Sequence, residues 1–66
     1  MNYDELNAEM GRKKISIPKL ATAIGIGKKA MYERFSGKQQ FRQREIVAIR
    51  DTLELSDDKL MEIFFA

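Results

Sequence analysis

The chain contains no cysteine, no histidine and no tryptophan, and has a single proline. Without cysteine there is no disulfide framework and no thiolate metal site. Without histidine the commonest metal ligand and the commonest general base are also missing. The expectation is therefore no bound metal and no cofactor. Long apolar runs are absent too. Nothing approaches the roughly 20 residues needed to span a bilayer, and no basic stretch followed by an apolar core marks a signal peptide. A cytoplasmic protein with no membrane partner is expected.

What remains is a chain of 66 residues, enough for one domain spanning residues 1–66. A domain of this size buries only about 60% of the surface its unfolded chain exposes, so its stability is modest. The net charge is only +2, but the charge is segregated along the chain. Asp4, Glu5 and Glu9 give residues 1–10 a net −3, and Asp51, Glu54, Asp57, Asp58 and Glu62 against Lys59 give residues 51–66 a net −4. Between them, Arg12, Lys13, Lys14, Lys19, Lys28, Lys29, Arg34, Lys38, Arg42, Arg44 and Arg50 stand against Glu33 and Glu45, a net +9. A polyanionic partner for this middle is the physical reading; the alternative is lysines coating solvated helix faces.

No segment alternates with period two, and the apolar spacing predicts an all-α protein. Asn2 caps a first helix with Tyr3, Leu6 and Met10 inward and Asp4 and Glu5 in its first turn, ending near Arg12 or Lys13. Lys13 and Lys14 fall in a surface turn. Ser16 caps a second helix with Pro18 in its first turn and Leu20, Ala21 and Ile24 inward, and Gly25 stops it. A third helix is expected from about Gly27 to Phe35, with Met31 and Phe35 inward. Ser36 and Gly37 end it, and a loop from Lys38 to Phe41 leads to a fourth helix, Gln43 to Glu54. That helix should bury Ile46, Ile49 and Leu53, with Val47 half-buried. Ser56, Asp57 and Asp58 start a short last helix carrying Leu60 and Ile63 inward, with Phe64 a further candidate. Phe64 and Phe65 are adjacent and cannot both face one core, so one of them is free for a contact between two copies.

The informative window holds Leu20-Ala21, Ile24-Gly25-Ile26, Met31 and Phe35. Two helices joined by a tight turn need a small residue where they cross, a glycine at the turn and an apolar residue locking the second onto the first. This pattern resembles the lambda-repressor-like helix-turn-helix family, closely from Ile17 to Ser36 and in outline over nearly the whole chain. More narrowly, Met1-Asn2-Tyr3-Asp4-Glu5-Leu6, Phe35-Ser36-Gly37-Lys38, Glu45-Ile46 and Ile63-Phe64-Phe65 look like small regulators encoded by bacteriophages of Gram-positive hosts. The resemblance implies a five-helix fold acting on the nucleoid of a bacterial host, with helix three in the major groove of double-stranded DNA and helix two across the phosphate backbone. Carried over, the base-contacting positions are Ile17, Gly27, Lys28, Lys29, Tyr32 and Glu33, and the phosphate-contacting positions are Lys38, Gln39, Gln40 and Arg42. Lysines suit guanine O6 and N7 or phosphate, tyrosine a thymine methyl, and glutamate a cytosine amino group. A dimer on two half-sites, contacting through Phe64 and Phe65, is expected.

The chain departs from the family pattern at Ile17, where glutamine often braces a phosphate or base; at Glu33, an acid on the DNA-facing surface; and at Arg42, where a capping hydroxyl is common. Ile17 and Glu33 are what a rival reading would use: a helix-turn-helix modulator that docks on a phage repressor protein instead of DNA. Gly25, Gly27 and Ala30 fit G-x-G-x-x-A with Glu45 downstream, but a dinucleotide site needs a preceding strand, and here a helix precedes. No constellation supports an enzyme or a small-molecule substrate. Asp4 with Glu5 and Asp57 with Asp58 sit at helix starts, where the helix dipole accounts for them.

Overall fold

In the computed structural model, which describes residues 1–65, the five helices are α1 (Tyr3–Lys13), α2 (Ile17–Ile24), α3 (Lys28–Phe35), α4 (Gln43–Leu53) and α5 (Asp57–Phe64), with no strand among the described residues. Ala66, the last residue of the expected 1–66 domain, lies outside them. Three helix starts follow the local chemistry. Asn2 Oδ1 accepts from the Glu5 N–H (3.1 Å), Ser16 Oγ from the Lys19 N–H (3.3 Å) and Ser56 Oγ from the Lys59 N–H (3.1 Å). Each satisfies one of the amides a helix leaves open at its first turn.

The helix ends are less regular. Gly25 (φ +81°) ends α2 in the left-handed conformation, and the Ile26 N–H reaches back to the Ala21 carbonyl at 3.0 Å. Lys14 (φ +57°) and Glu54 (φ +53°) end α1 and α4 in the same conformation although neither is glycine. In both cases the next residue is a half-buried apolar one, Ile15 or Leu55, which packs against the core. Its N–H closes on a carbonyl of the last turn, Met10 for Ile15 (2.9 Å) and Arg50 for Leu55 (3.0 Å). Burial of that next side chain holds the strained turn. Glu54 is thus the cap of α4 and not its last helical residue, and Gly27 is the cap of α3 and not its first.

Every helix feeds one core: Leu6 and Met10 from α1, Leu20, Ala21 and Ile24 from α2, Met31 from α3, Ile49 and Leu53 from α4, and Ile63 from α5. α2 packs against both α3 and α4, while α1 packs against α4 and α5. The Asn2 N–H bonds the Ile63 carbonyl, tying the chain start to α5. Two expectations for α4 need correction. Its inner line is Glu45, Ile49 and Leu53, spaced four apart, so Ile46 is turned aside to half-burial and Val47 is exposed (39%). Phe64 packs against the core and Phe65 stays 60% exposed, as adjacent residues on a helix require. Beside the core, Tyr3, Phe35, Phe41 and Phe64 form a row with successive ring centroids 6.0, 6.1 and 5.9 Å apart. The last two contacts are edge-to-face, the geometry that ring quadrupoles favour.

Candidate nucleic-acid interface

Folding gathers the acidic chain ends together. Glu5 on α1 accepts from Lys59 Nζ on α5 at 2.7 Å and from Arg12 at 3.1 Å. The Lys59 hydrogen bond is the main reason the Glu5 carboxyl lies below its ordinary pKa, against some opposing burial. Asp4, Asp57, Asp58 and Glu62 are exposed on the same two helices.

The cations of the middle behave differently. Of the 12 lysines and arginines, Arg12, Arg34, Arg50 and Lys59 are ion-paired. The other eight, Lys13, Lys14, Lys19, Lys28, Lys29, Lys38, Arg42 and Arg44, have no acidic partner among the described residues, and all eight are exposed. Glu33 is the one acid between residues 11 and 50 that makes no ion pair among them.

α3 begins against the usual rules. Its cap, Gly27, offers no side-chain acceptor, and its first two residues are Lys28 and Lys29, both exposed. A helix N-terminus carries roughly half a positive charge, so cations there are disfavoured by about 0.3–1 kcal/mol each. α1 and α5 do the opposite, each starting with an oxygen cap and two acids in its first turn. One turn further along α3, Tyr32 is 48% exposed. Gly27, Lys28, Lys29 and Tyr32 are all exposed at the start and on the outer face of α3, and Lys38, Gln39, Gln40 and Arg42 are exposed on the loop and at the cap of α4. Glu33 is half-buried. Ile17 is half-buried and packs against the core at the start of α2, so core packing accounts for part of its apolar surface.

No family model, curated protein or solved structure matches the chain. Its site is therefore read from its own residues.

The start of α4 shows what the sequence reading missed. Arginine has no acceptor, so Arg42 cannot cap α4 with its side chain; instead Glu45, three residues on, accepts from the Arg42 N–H with Oε1 at 3.0 Å. The same carboxylate takes a two-pronged bond from Arg34 on α3, Nε to Oε1 at 2.7 Å and Nη2 to Oε2 at 3.1 Å. Both side chains are nearly enclosed, 11% and 3% exposed. Burial alone would push the Glu45 carboxyl up, but the Arg34 and Arg42 hydrogen bonds outweigh it, and its pKa lies below the ordinary value. Arg34 and Glu45 therefore leave the surface charge and become framework. The signal available in the sequence was a glutamate three residues after the cap, the returning half of a capping box. Arg44, free and exposed one residue into α4, was recognisable from charge alone.

Proposed function

We propose that this protein is a sequence-specific regulator that binds double-stranded DNA, of the phage repressor or Cro kind. α2, the turn Gly25–Gly27 and α3 act as its helix-turn-helix, and α3 enters the major groove. The observation that carries the reading is the start of α3: two free lysines set against the helix dipole at an uncapped, exposed terminus. A local rule broken at no visible gain to the fold marks a functional position, and a phosphate or a guanine edge supplies what this terminus lacks. The free cations on the loop and at the start of α4 support contact with the sugar-phosphate chain. Lys28 and Lys29 read or grip, Tyr32 meets a thymine methyl or a phosphate, and Glu33 accepts only opposite cytosine. No catalytic role is assigned to any residue.

A single module of this size covers roughly 600–1,000 Å² on DNA. Tight binding then calls for two copies on half-sites about one helical turn apart, and exposed Phe65 beside Phe64 supports a contact between copies through the C-terminal region. The deciding experiment is fluorescence anisotropy of a duplex from the DNA flanking the gene and of an unrelated duplex, over a range of salt. Binding whose log K falls with log salt at a slope of about −0.9 per phosphate contacted, and which is tighter on the flanking duplex, supports the reading. No binding to either duplex at low salt rejects it and leaves the protein-docking modulator. That modulator would present the shallow groove of about 360 Å³ lined by Tyr3, Phe41, Ile46, Phe64 and Phe65.

A further inference from the structure

Arg34 and Glu45 stand 11 positions apart on different helices and form the only side-chain hydrogen bonds between α3 and α4 among the described residues. Each of those helices packs on α2. The pair adds a direct, directional link between two helices that otherwise meet mainly through α2. The fork of Arg34 engages both carboxylate oxygens, and its third nitrogen, Nη1, donates to the Ala30 carbonyl one turn back at 3.2 Å. Oε1 of the same carboxylate receives the Arg42 N–H. One buried carboxylate thus holds the last turn of α3 and the first turn of α4, the two ends of the loop that carries Lys38, Gln39 and Gln40.

From this geometry we infer that Arg34 and Glu45 are positioning residues for the surface proposed above, and the inference rests on that DNA reading. They fix α3 relative to the start of α4, so that Lys28, Lys29 and Tyr32 meet the same duplex as Lys38 and Arg42. Stability alone does not call for such a pair, because apolar residues of similar volume hold a buried site as well or better. What apolar residues lack is direction: a two-pronged guanidinium–carboxylate bond sets both distance and angle.

The test compares wild type with E45Q and with the double variant R34M/E45M, which fills the site without charge. Circular dichroism gives helix content and melting temperature, and anisotropy on the flanking and unrelated duplexes across a salt series gives affinity. The expectation is that R34M/E45M stays folded, melting below wild type only by the loss of the Glu45 bond to the Arg42 N–H, yet binds the flanking duplex about tenfold more weakly, a difference of about 1.4 kcal/mol. Its salt slope should be shallower by about 1.8, the loss of two phosphate contacts. E45Q, where it folds, should show the same binding defect. A folded R34M/E45M that binds both duplexes with wild-type affinity and slope overturns the positioning role while leaving the DNA reading intact. Failure of wild type to bind either duplex overturns both.

Discussion

Replacing Lys28 and Lys29 by glutamate should make the protein more stable and abolish its proposed activity. Each lysine sits in the first turn of α3, exposed, without an acidic partner and next to a cap that offers no acceptor. Removing one unfavourable charge from a helix N-terminus recovers about 0.3–1 kcal/mol, and placing an acid there adds a similar amount. Taking the lower part of that range for two positions gives about 1–2 kcal/mol. In a domain of this size each kcal/mol moves the melting temperature by about 4–8 °C, so a rise of about 5–10 °C at low salt is expected. Whole-molecule repulsion does not confuse the comparison, because the net charge goes from +2 to −2, equal in magnitude. The gain should shrink in high salt, where exposed charges are screened. Thermal melts by circular dichroism at two salt concentrations, run beside the anisotropy titration, measure both effects. A variant that melts at or below the wild-type temperature at low salt refutes the dipole argument. One that still binds DNA as wild type removes α3 from the interface.

The left-handed caps give a second test. K14G and E54G each relieve a conformation that costs a non-glycine residue about 1–2 kcal/mol. Part of that is returned as extra freedom of the unfolded chain, so urea denaturation should show about 0.5–1 kcal/mol of added stability per site. Met31 is fully buried where α3 meets α2. M31A should cost about 2–5 kcal/mol, much of the roughly 3–10 kcal/mol available to a chain of this length, and leave helix content visibly reduced at 37 °C. Glu45 carries a lowered pKa in the folded state. Its contribution is therefore complete above the unfolded value of 4.5 and is lost as the pH falls through the folded value. Unfolding free energy measured between pH 6 and pH 3 should fall below about pH 4.5, and less steeply in E45Q.

Most of the helix starts were legible because they are decided within four residues. Asn2, Ser16 and Ser56 carry their acceptors themselves, and Gly25 marks its turn by lacking a side chain. Lys14 and Glu54 were not legible as caps, since what holds them in a left-handed turn is the burial of Ile15 and Leu55, a matter of tertiary packing. The same holds on α4. An apolar pattern pointed to Ile46, whereas the inner position belongs to Glu45, which is tolerable there only because Arg34 arrives from another helix. Charge segregation in the candidate interface could be read directly from the sequence. Which cations stay free could not, because pairing removes Arg34 from a run that spacing alone treats as uniform.

The row of rings bears on how the loop after α3 would meet any partner. Phe41 lies between Phe35 and Phe64, so a segment that is otherwise polar from Lys38 to Gln40 is pinned at its far end when the chain folds. Its backbone freedom, about 1–2 kcal/mol per residue fixed, is then given up largely at folding and not at association. A ligand would meet a loop already shaped, as for a preorganised site. F41A, by loosening that end, would shift the ordering cost onto the binding step and make association entropically less favourable.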